Sequence, residues 1–397
     1  MCDLGEISRR IIDSKLMTDE AAQSQLARWR SETGAEEKTG DGWLNWLVDQ
    51  RQLTALEADA VEAGCFGPPM LGPFRICDRL SVGRQGTIYR AVHLDSQQPV
   101  SIKILPSGLG ADRERLVRLR RELRANALLD HPNVVRMYQV GDVGGVVYLV
   151  FEGLLGGTLR DRLGQEGKIP YPAACRLMRD AAAGLAHFHD KFIVHRDVRP
   201  EVMWISDDGA LKVMASGTIR RALTDVYGTD DTTVTTTGTV LGTYDYMAPE
   251  QWRDAHAADH RSDIYSLGCT LYHCLAGHPP FVDRNPMQQI KRHTDEVPAA
   301  VSTLVAGVPE ELDEIVASML AKSPEDRFQS MTDVQRELEM LAECWPSSGL
   351  AAPVPEEFLP WLGDAEDSEA VVSQSPPSPQ AAAFLQWLVE DSHGQRD

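Results

Sequence analysis

Residues 195–217 read HRDVRPEVMWISDDGALKVMASG. Charge crowds the start, with Arg196, Asp197 and Arg199, and two short apolar runs follow around Asp207-Asp208-Gly209. Asp-Asp-Gly between apolar runs is ordinary turn chemistry, since short acidic side chains bond their own backbone and glycine accepts the tight turn. The stretch therefore reads as a charged loop feeding a hairpin. Its meaning depends on what lies on either side.

Upstream, residues 74–105 hold β-branched runs broken by turn signals: FRICDRLSV, GTIYRAVHL and PVSIKIL. A long charged helix is expected from about Ala111 to Leu129, then two more apolar strands, VVRMYQVG and GVVYLVFEG. Beyond Gly156-Gly157 the pattern turns mainly helical. A small β-rich lobe joined to a larger α-rich lobe is the expected architecture.

Bulk properties narrow the function classes. The chain has 397 residues, enough for two or three domains, and a net charge of −20 that argues against nucleic-acid binding. No run of about 18 apolar residues suggests a membrane span. The start, MCDLGEISRR, lacks an apolar stretch behind a basic head, which argues against a secretory signal. Seven scattered cysteines without a CxxC pair fit reduced thiols, and a cytoplasmic location is expected.

The charge is uneven. Residues 345–397 hold nine acids against one base, and residues 1–70 hold thirteen against seven. Residues 1–66 read as a small helical module: Ile7, Ile11 and Ile12 keep helical spacing, Thr18 suits a helix start, and Thr54-Ala-Leu-Glu57 fits a capping box ahead of Gly64. A linker over 67–73 follows. Residues 345–397, rich in Pro, Ser, Ala and acid, read as a mostly disordered tail.

Residues 74–343 resemble the eukaryotic-like Ser/Thr protein kinases also found in bacteria, with the landmarks in the right order. LSVGRQGTIY (80–89) is similar to the glycine-rich loop over the ATP phosphates, with Gly83 and Gly86 kept and Ser81 at the first glycine position. VSIK (100–103) supplies Lys103 at the phosphate-pairing lysine position, and RRELRANALLDHPNVV supplies Glu122 as its partner. VFEGLLGGTL resembles the hinge, with Phe151 behind the adenine pocket. His195-Arg196-Asp197 resembles the catalytic loop, which makes Asp197 the expected base. GTYDYMAPEQ (242–251) resembles the peptide-docking end of the activation segment, and Thr243 is grouped with the catalytic set alongside Asp197 and Arg199. Asp263 is expected to brace the catalytic loop, and Arg327 to pair with Glu250. The resemblance implies a bilobal α+β kinase-like fold, with an N-lobe over 74–153 and a C-lobe over 156–343.

The departures fall on nucleotide and metal. The family pattern HRDxKPxN, then DFG, becomes Arg199 for Lys, Val202 for the metal-binding Asn, and Ala215-Ser216-Gly217 for the triplet. Magnesium prefers an octahedron of oxygens, and Val and Ala side chains offer none. A metal supplies several kcal/mol in phosphoryl transfer, so its loss implies transfer slower by roughly a thousandfold or more. No metal ligands and no cofactor are expected; ATP with magnesium belongs to the alternative reading. Trp204 stands where the resemblance places a Leu beneath the adenine: the indole either fills the adenine's space or packs in the core. Ser101 replaces a small apolar residue above the adenine. Asn126 and Ser216 replace neighbouring apolar residues and are expected to bond each other or a shared water, since buried polar groups need partners.

These residues point to a pseudokinase, a kinase fold kept for binding, that scaffolds or regulates other proteins, an active kinase or its substrate among the candidates. The alternative is a catalytically active or weakly active ATP-dependent Ser/Thr kinase using Lys103, Glu122 and Asp197. Nine threonines between residues 224 and 243 form either a flexible polar loop or a target for another kinase, whose phosphate Arg196 would meet. Three segments share a pattern of two apolar, one free and two apolar residues: WLNWL (43–47), FLPWL (358–362) and FLQWL (384–388). The first belongs in the N-terminal core. The other two are candidate docking segments, either for another protein or for this one.

Overall fold

A computed structural model describes residues 3–33, 40–65, 69–83, 86–105, 112–227, 244–253, 258–343 and 379–392. The chain forms two compact units. The first is Met1–Val117, Met137–Leu154 and Glu356–Asp397; the second is Arg118–Arg136 and Leu155–Pro355.

The first unit opens with four helices, α1 (Leu4–Asp13), α2 (Asp19–Thr33), α3 (Gly40–Asp49) and α4 (Ala55–Glu62). Local sequence explains their starts. Asp3 caps α1 through Gly5 N, Thr18 accepts from Ala21 N, and Thr54 with Glu57 forms a reciprocal capping box on α4. Gly64, at φ +76°, takes the left-handed position just past α4. Ile7, Ile11, Trp29, Trp43, Leu47 and Val61 fill the core of these helices.

Strands β1 (Met70–Leu71), β2 (Phe74–Gly83), β3 (Gly86–His93), β4 (Pro99–Ile104), β5 (Met137–Val143) and β6 (Val146–Glu152) form one antiparallel sheet in the order β1-β2-β3-β4-β6-β5. Two findings depart from the sequence-based division. The stretch expected as a linker contains β1, paired to β2 as Met70↔Arg75 and Leu71↔Phe74. The helical module is also not separate, because Leu56 and Ala60 of α4 share one core with Phe74, Ile76, Tyr89 and Val100 of the sheet. With Leu56 and Ala60 on one side and Ala58 and Val61 on another, α4 serves two cores at once.

Helix α5 (Arg113–Ala127) contributes its later residues to the second unit. There follow β7 (Gly157–Thr158), α6 (Leu159–Glu166), α7 (Tyr171–Asp190), β8 (Met203–Ile205), β9 (Leu211–Val213), α8 (Ser216–Tyr227), α9 (Pro249–Arg253), α10 (Arg261–Ala276), α11 (Pro286–Asp295), α12 (Glu310–Met319) and α13 (Met331–Glu343). Every residue from Ser262 to Ala276 is buried, so α10 is the axis of this unit, with α7, α12 and α13 packed on the same core. A helix buried all round belongs in the centre of a bundle. The last element, α14 (Pro379–Ser392), belongs to the first unit. Among the described residues no helix is long and apolar enough to cross a membrane.

Candidate functional site

The sequence candidates divide between the units. Gly83, Gly86, Ser101, Lys103 and Phe151 lie in the first. Glu122, Arg196, Asp197, Arg199, Val202, Trp204, Ala215, Glu250, Asp263 and Arg327 lie in the second. Thr243 and the other threonines from Thr229 onward lie outside the described residues.

In the second unit, the loop carrying Asp197 is held from beneath by Asp263. This carboxylate is fully buried; Oδ2 accepts from His195 N and His189 Nε2, both at 2.8 Å, and Oδ1 accepts from Arg196 N at 2.7 Å. Burial alone would raise the Asp263 carboxyl, but the His189 bond, the nearby His195 and the Arg196 amide hold it below its ordinary value. The His195 ring donates from Nε2 to Met214 O (2.7 Å) and accepts from Asp197 N at Nδ1 (3.3 Å), which assigns its tautomer. Arg196 is held at φ +64°, a left-handed conformation costly for a side chain of this size. Its guanidinium reaches Ala258 O, and burial followed by Arg221 lowers its pKa.

Asp197 itself is 6% exposed and already engaged. Ser216 Oγ donates to Oδ2 at 3.1 Å, and Arg199 Nε stands 3.2 Å from Oδ1. That second contact is an ion pair rather than an aligned hydrogen bond, since Arg199 Nε has no partner at hydrogen-bond angles. Both oxygens of the expected base therefore face groups of this same loop system. Gly217 is fixed by close approach: a Cβ there would stand 1.8 Å from His195 O.

The two expected metal positions carry hydrocarbon side chains, both buried. Val202 is 4% exposed and Ala215 is 1% exposed. Ala215 sits in an apolar cluster with Leu129, Val134 and Phe188. Asp208 does not replace them: its Oδ1 accepts from Ser206 Oγ and Ala210 N within its own turn. Among the described residues no group of three or more His, Cys, Asp or Glu could hold a metal ion. At these two positions the side chains offer magnesium no oxygen.

Of the two arrangements expected for Asn126 and Ser216, the direct bond between them is not formed. Asn126 Oδ1 accepts from Thr218 Oγ1 at 2.9 Å, while Ser216 turns to Asp197. The reason is α8. A helix runs from Ser216 to Tyr227, burying Ile219, Ala222 and Val226, and its first turn brings Thr218 to Asn126. The apolar spacing of those three residues was a readable helical signal. Trp204 is 2% exposed, and its Nε1 donates to Leu155 O at 2.7 Å.

At the far end of this unit Arg327 meets Glu250, Nη1 to Oε1 at 2.6 Å and Nη2 to Oε2 at 2.8 Å. Its remaining donors reach Ala321 O, Arg261 O and Lys322 O, so all five N–H groups have acceptors. Its guanidinium also lies 4.9 Å from the Tyr265 ring centroid.

In the first unit, Lys103 is 8% exposed on β4, in register with Ile88 and Leu149, and Phe151 is fully buried on β6. Gly83 and Gly86 face each other at the end of the β2–β3 hairpin. Ser101 is fully buried, and its Oγ accepts from Leu154 N at 3.0 Å. A backbone donor on the expected hinge is thereby taken by a side chain, which sequence reasoning did not foresee. In the second unit Glu122 is exposed on α5.

The protein kinase domain family model matches residues 74–338. The chain belongs to the protein kinase family. Its kinase domain is 37% identical over 276 residues to the serine/threonine-protein kinase PknB of Mycobacterium leprae, covering 68% of this chain and 43% of that protein. It is 37% identical over 266 residues to the serine/threonine-protein kinase PknL of Mycobacterium tuberculosis, covering 67% and 64%. The chain thus spans less than two thirds of these relatives. The fold is also similar to the kinase domain of Mycobacterium tuberculosis PknI, crystallised as a point mutant, with a TM-score of 0.51 and 21% identity over 69% of this chain and 97% of that one. The small β-rich and larger helical lobes are those of the kinase fold.

Proposed function

We propose that this chain is a pseudokinase of the Ser/Thr protein kinase family, acting in the cytoplasm as a signalling scaffold or regulator of other proteins. An active kinase or that kinase's substrate is the proposed partner, and no metal or nucleotide cofactor is required. The observation that carries this reading is the pair of buried hydrocarbons, Val202 and Ala215, at the metal positions. The engagement of Asp197 by Ser216 and Arg199 supports it, since a base must be within reach of the proton it takes. Phosphoryl transfer depends on positioning and charge neutralisation, and this chain offers no oxygen at either metal position.

The test is thermal melting with ATP, alone and with Mg²⁺ or Mn²⁺, beside a phosphorylation assay with Asp197→Asn as control. No metal-dependent rise in melting temperature and no Asp197-dependent transfer are expected. Transfer abolished by Asp197→Asn would favour a second reading, a slow Ser/Thr kinase. Two observations favour that reading: Lys103 and Asp197 are kept, and the relatives carry the name serine/threonine-protein kinase.

A further inference from the structure

Helix α14 begins at Pro379, well beyond the end of the family match at residue 338. The kinase core does not call for it, yet it is seated in the core of the first unit. Phe384, Leu385, Trp387 and Leu388 are between 0% and 4% exposed. They share one apolar cluster with Leu56 and Ala60 of α4 and with β1–β3 of the sheet. Gln386 and Glu390, on the other side of the helix, are exposed.

One charged residue gives this seat an address. The Asp391 side chain is 8% exposed. It is gripped by Arg79 on β2, Nε to Oδ2 at 2.9 Å and Nη2 to Oδ1 at 2.6 Å, and Tyr89 OH on β3 donates to Oδ2 at 2.7 Å. The remaining Arg79 terminus reaches Asp59 of α4 at 2.7 Å, and its guanidinium lies 5.9 Å from the Trp387 ring. A two-point arginine–carboxylate contact fixes register more than it adds stability.

We propose that the α4-covered face of the six-stranded sheet is a helix-binding site, and that α14 is its tethered, displaceable ligand. The ligand is an amphipathic helix of the form Phe-Leu-x-Trp-Leu-x-x-Asp. Among the three related segments only residues 384–391 complete it: the position matching Asp391 is Gln50 after WLNWL and Ala365 after FLPWL. Residues 344–378, between α13 and α14 in the sequence, are rich in Pro, Ser and acid. Covalent linkage within one chain keeps a ligand segment at high effective concentration.

Occupancy has a direct consequence for the hairpin. Arg79 and Tyr89 are cross-strand partners on β2 and β3, and the same hairpin ends at Gly83 and Gly86. A docked Asp391 fastens the two strands together midway along their ladder. Release of the tail loosens the glycine-rich hairpin, so tail docking sets how firmly its strands are held. This inference stands whether or not the chain transfers phosphate.

The test uses the full chain carrying a protease recognition sequence within residues 363–378. After cleavage the tail fragment is expected to stay with the body on gel filtration, and to exchange with a fluorescent synthetic peptide of residues 379–392. Saturable peptide binding, weakened at least tenfold by Asp391→Ala in the peptide, supports the proposal. Failure of the peptide to enter the cleaved body, or equal binding of the Asp391→Ala peptide, overturns it. Hydrogen exchange on the uncut chain adds an independent readout. Asp391→Ala is expected to speed amide exchange in residues 79–89 several-fold while residues 262–276 of α10 stay unchanged; unchanged exchange in 79–89 overturns the coupling.

Discussion

Ala215→Asp restores the acidic residue that the kinase family carries at this position, and its cost follows from the surroundings. Ala215 is 1% exposed and packs with Leu129, Val134 and Phe188. A carboxylate placed there loses its hydration and gains no donor in that apolar cluster, so its pKa rises, by roughly 2–3 units for a well-buried group. Each unit corresponds to about 1.36 kcal/mol, giving a destabilisation of roughly 3–4 kcal/mol at pH 7. For a unit of this size that lowers the melting temperature by about 6–15 °C. The sign fixes the pH dependence. A carboxyl whose folded pKa is raised costs nothing below its ordinary value near 4; the cost grows as pH rises toward the folded value and is constant above it. The assay is thermal melting of parent and Ala215→Asp at pH 4.5, 6 and 7.5, each with and without millimolar Mg²⁺. A gap that widens with pH and ignores magnesium is expected. A variant as stable as the parent, or one rescued by magnesium, would refute the reasoning, because it would show the position open to water and metal.

Three further outcomes are expected. His273 and His293, buried beside Tyr246 and Tyr265, have folded pKa values lowered to about 4 and about 3, mainly by burial. Their stabilising effect is present above about pH 6.5 and is lost as pH falls below it, roughly 2 kcal/mol each at pH 5, so denaturant unfolding at pH 7 and pH 5 should differ and His293→Gln should shrink the difference. Arg327→Lys cannot fill five acceptor positions and leaves Glu250 partly unpaired; a loss of about 3–5 kcal/mol is expected by urea unfolding, and a loss below about 1 kcal/mol would remove the buried pair's role. Ser101→Ala strands the Leu154 amide in a buried site, which should lower stability by about 1–3 kcal/mol and speed exchange at that amide.

Local pattern fixed more than the elements alone. The β-branched runs became β2, β3 and β4 because alternating apolar residues need one buried face, whichever sheet supplies it. Thr54 and Glu57 cap α4 across three residues, so their bond was visible in the chain. That Val202 and Ala215 carry no side-chain oxygen was equally legible, because no tertiary contact gives a hydrocarbon side chain one. Partner choice was not legible in this way. Asn126 needed a polar partner on any reading, but α8 decided that it is Thr218, 92 positions away. The same holds for Ser101, whose hydroxyl found Leu154 N 53 positions on. FLQWL announced a one-sided helix, while its seat is made by α4 and the sheet together. Arg79 and Asp391 are 312 positions apart, and no periodicity spans that interval; only the packed small lobe brings guanidinium and carboxylate to 2.6 Å.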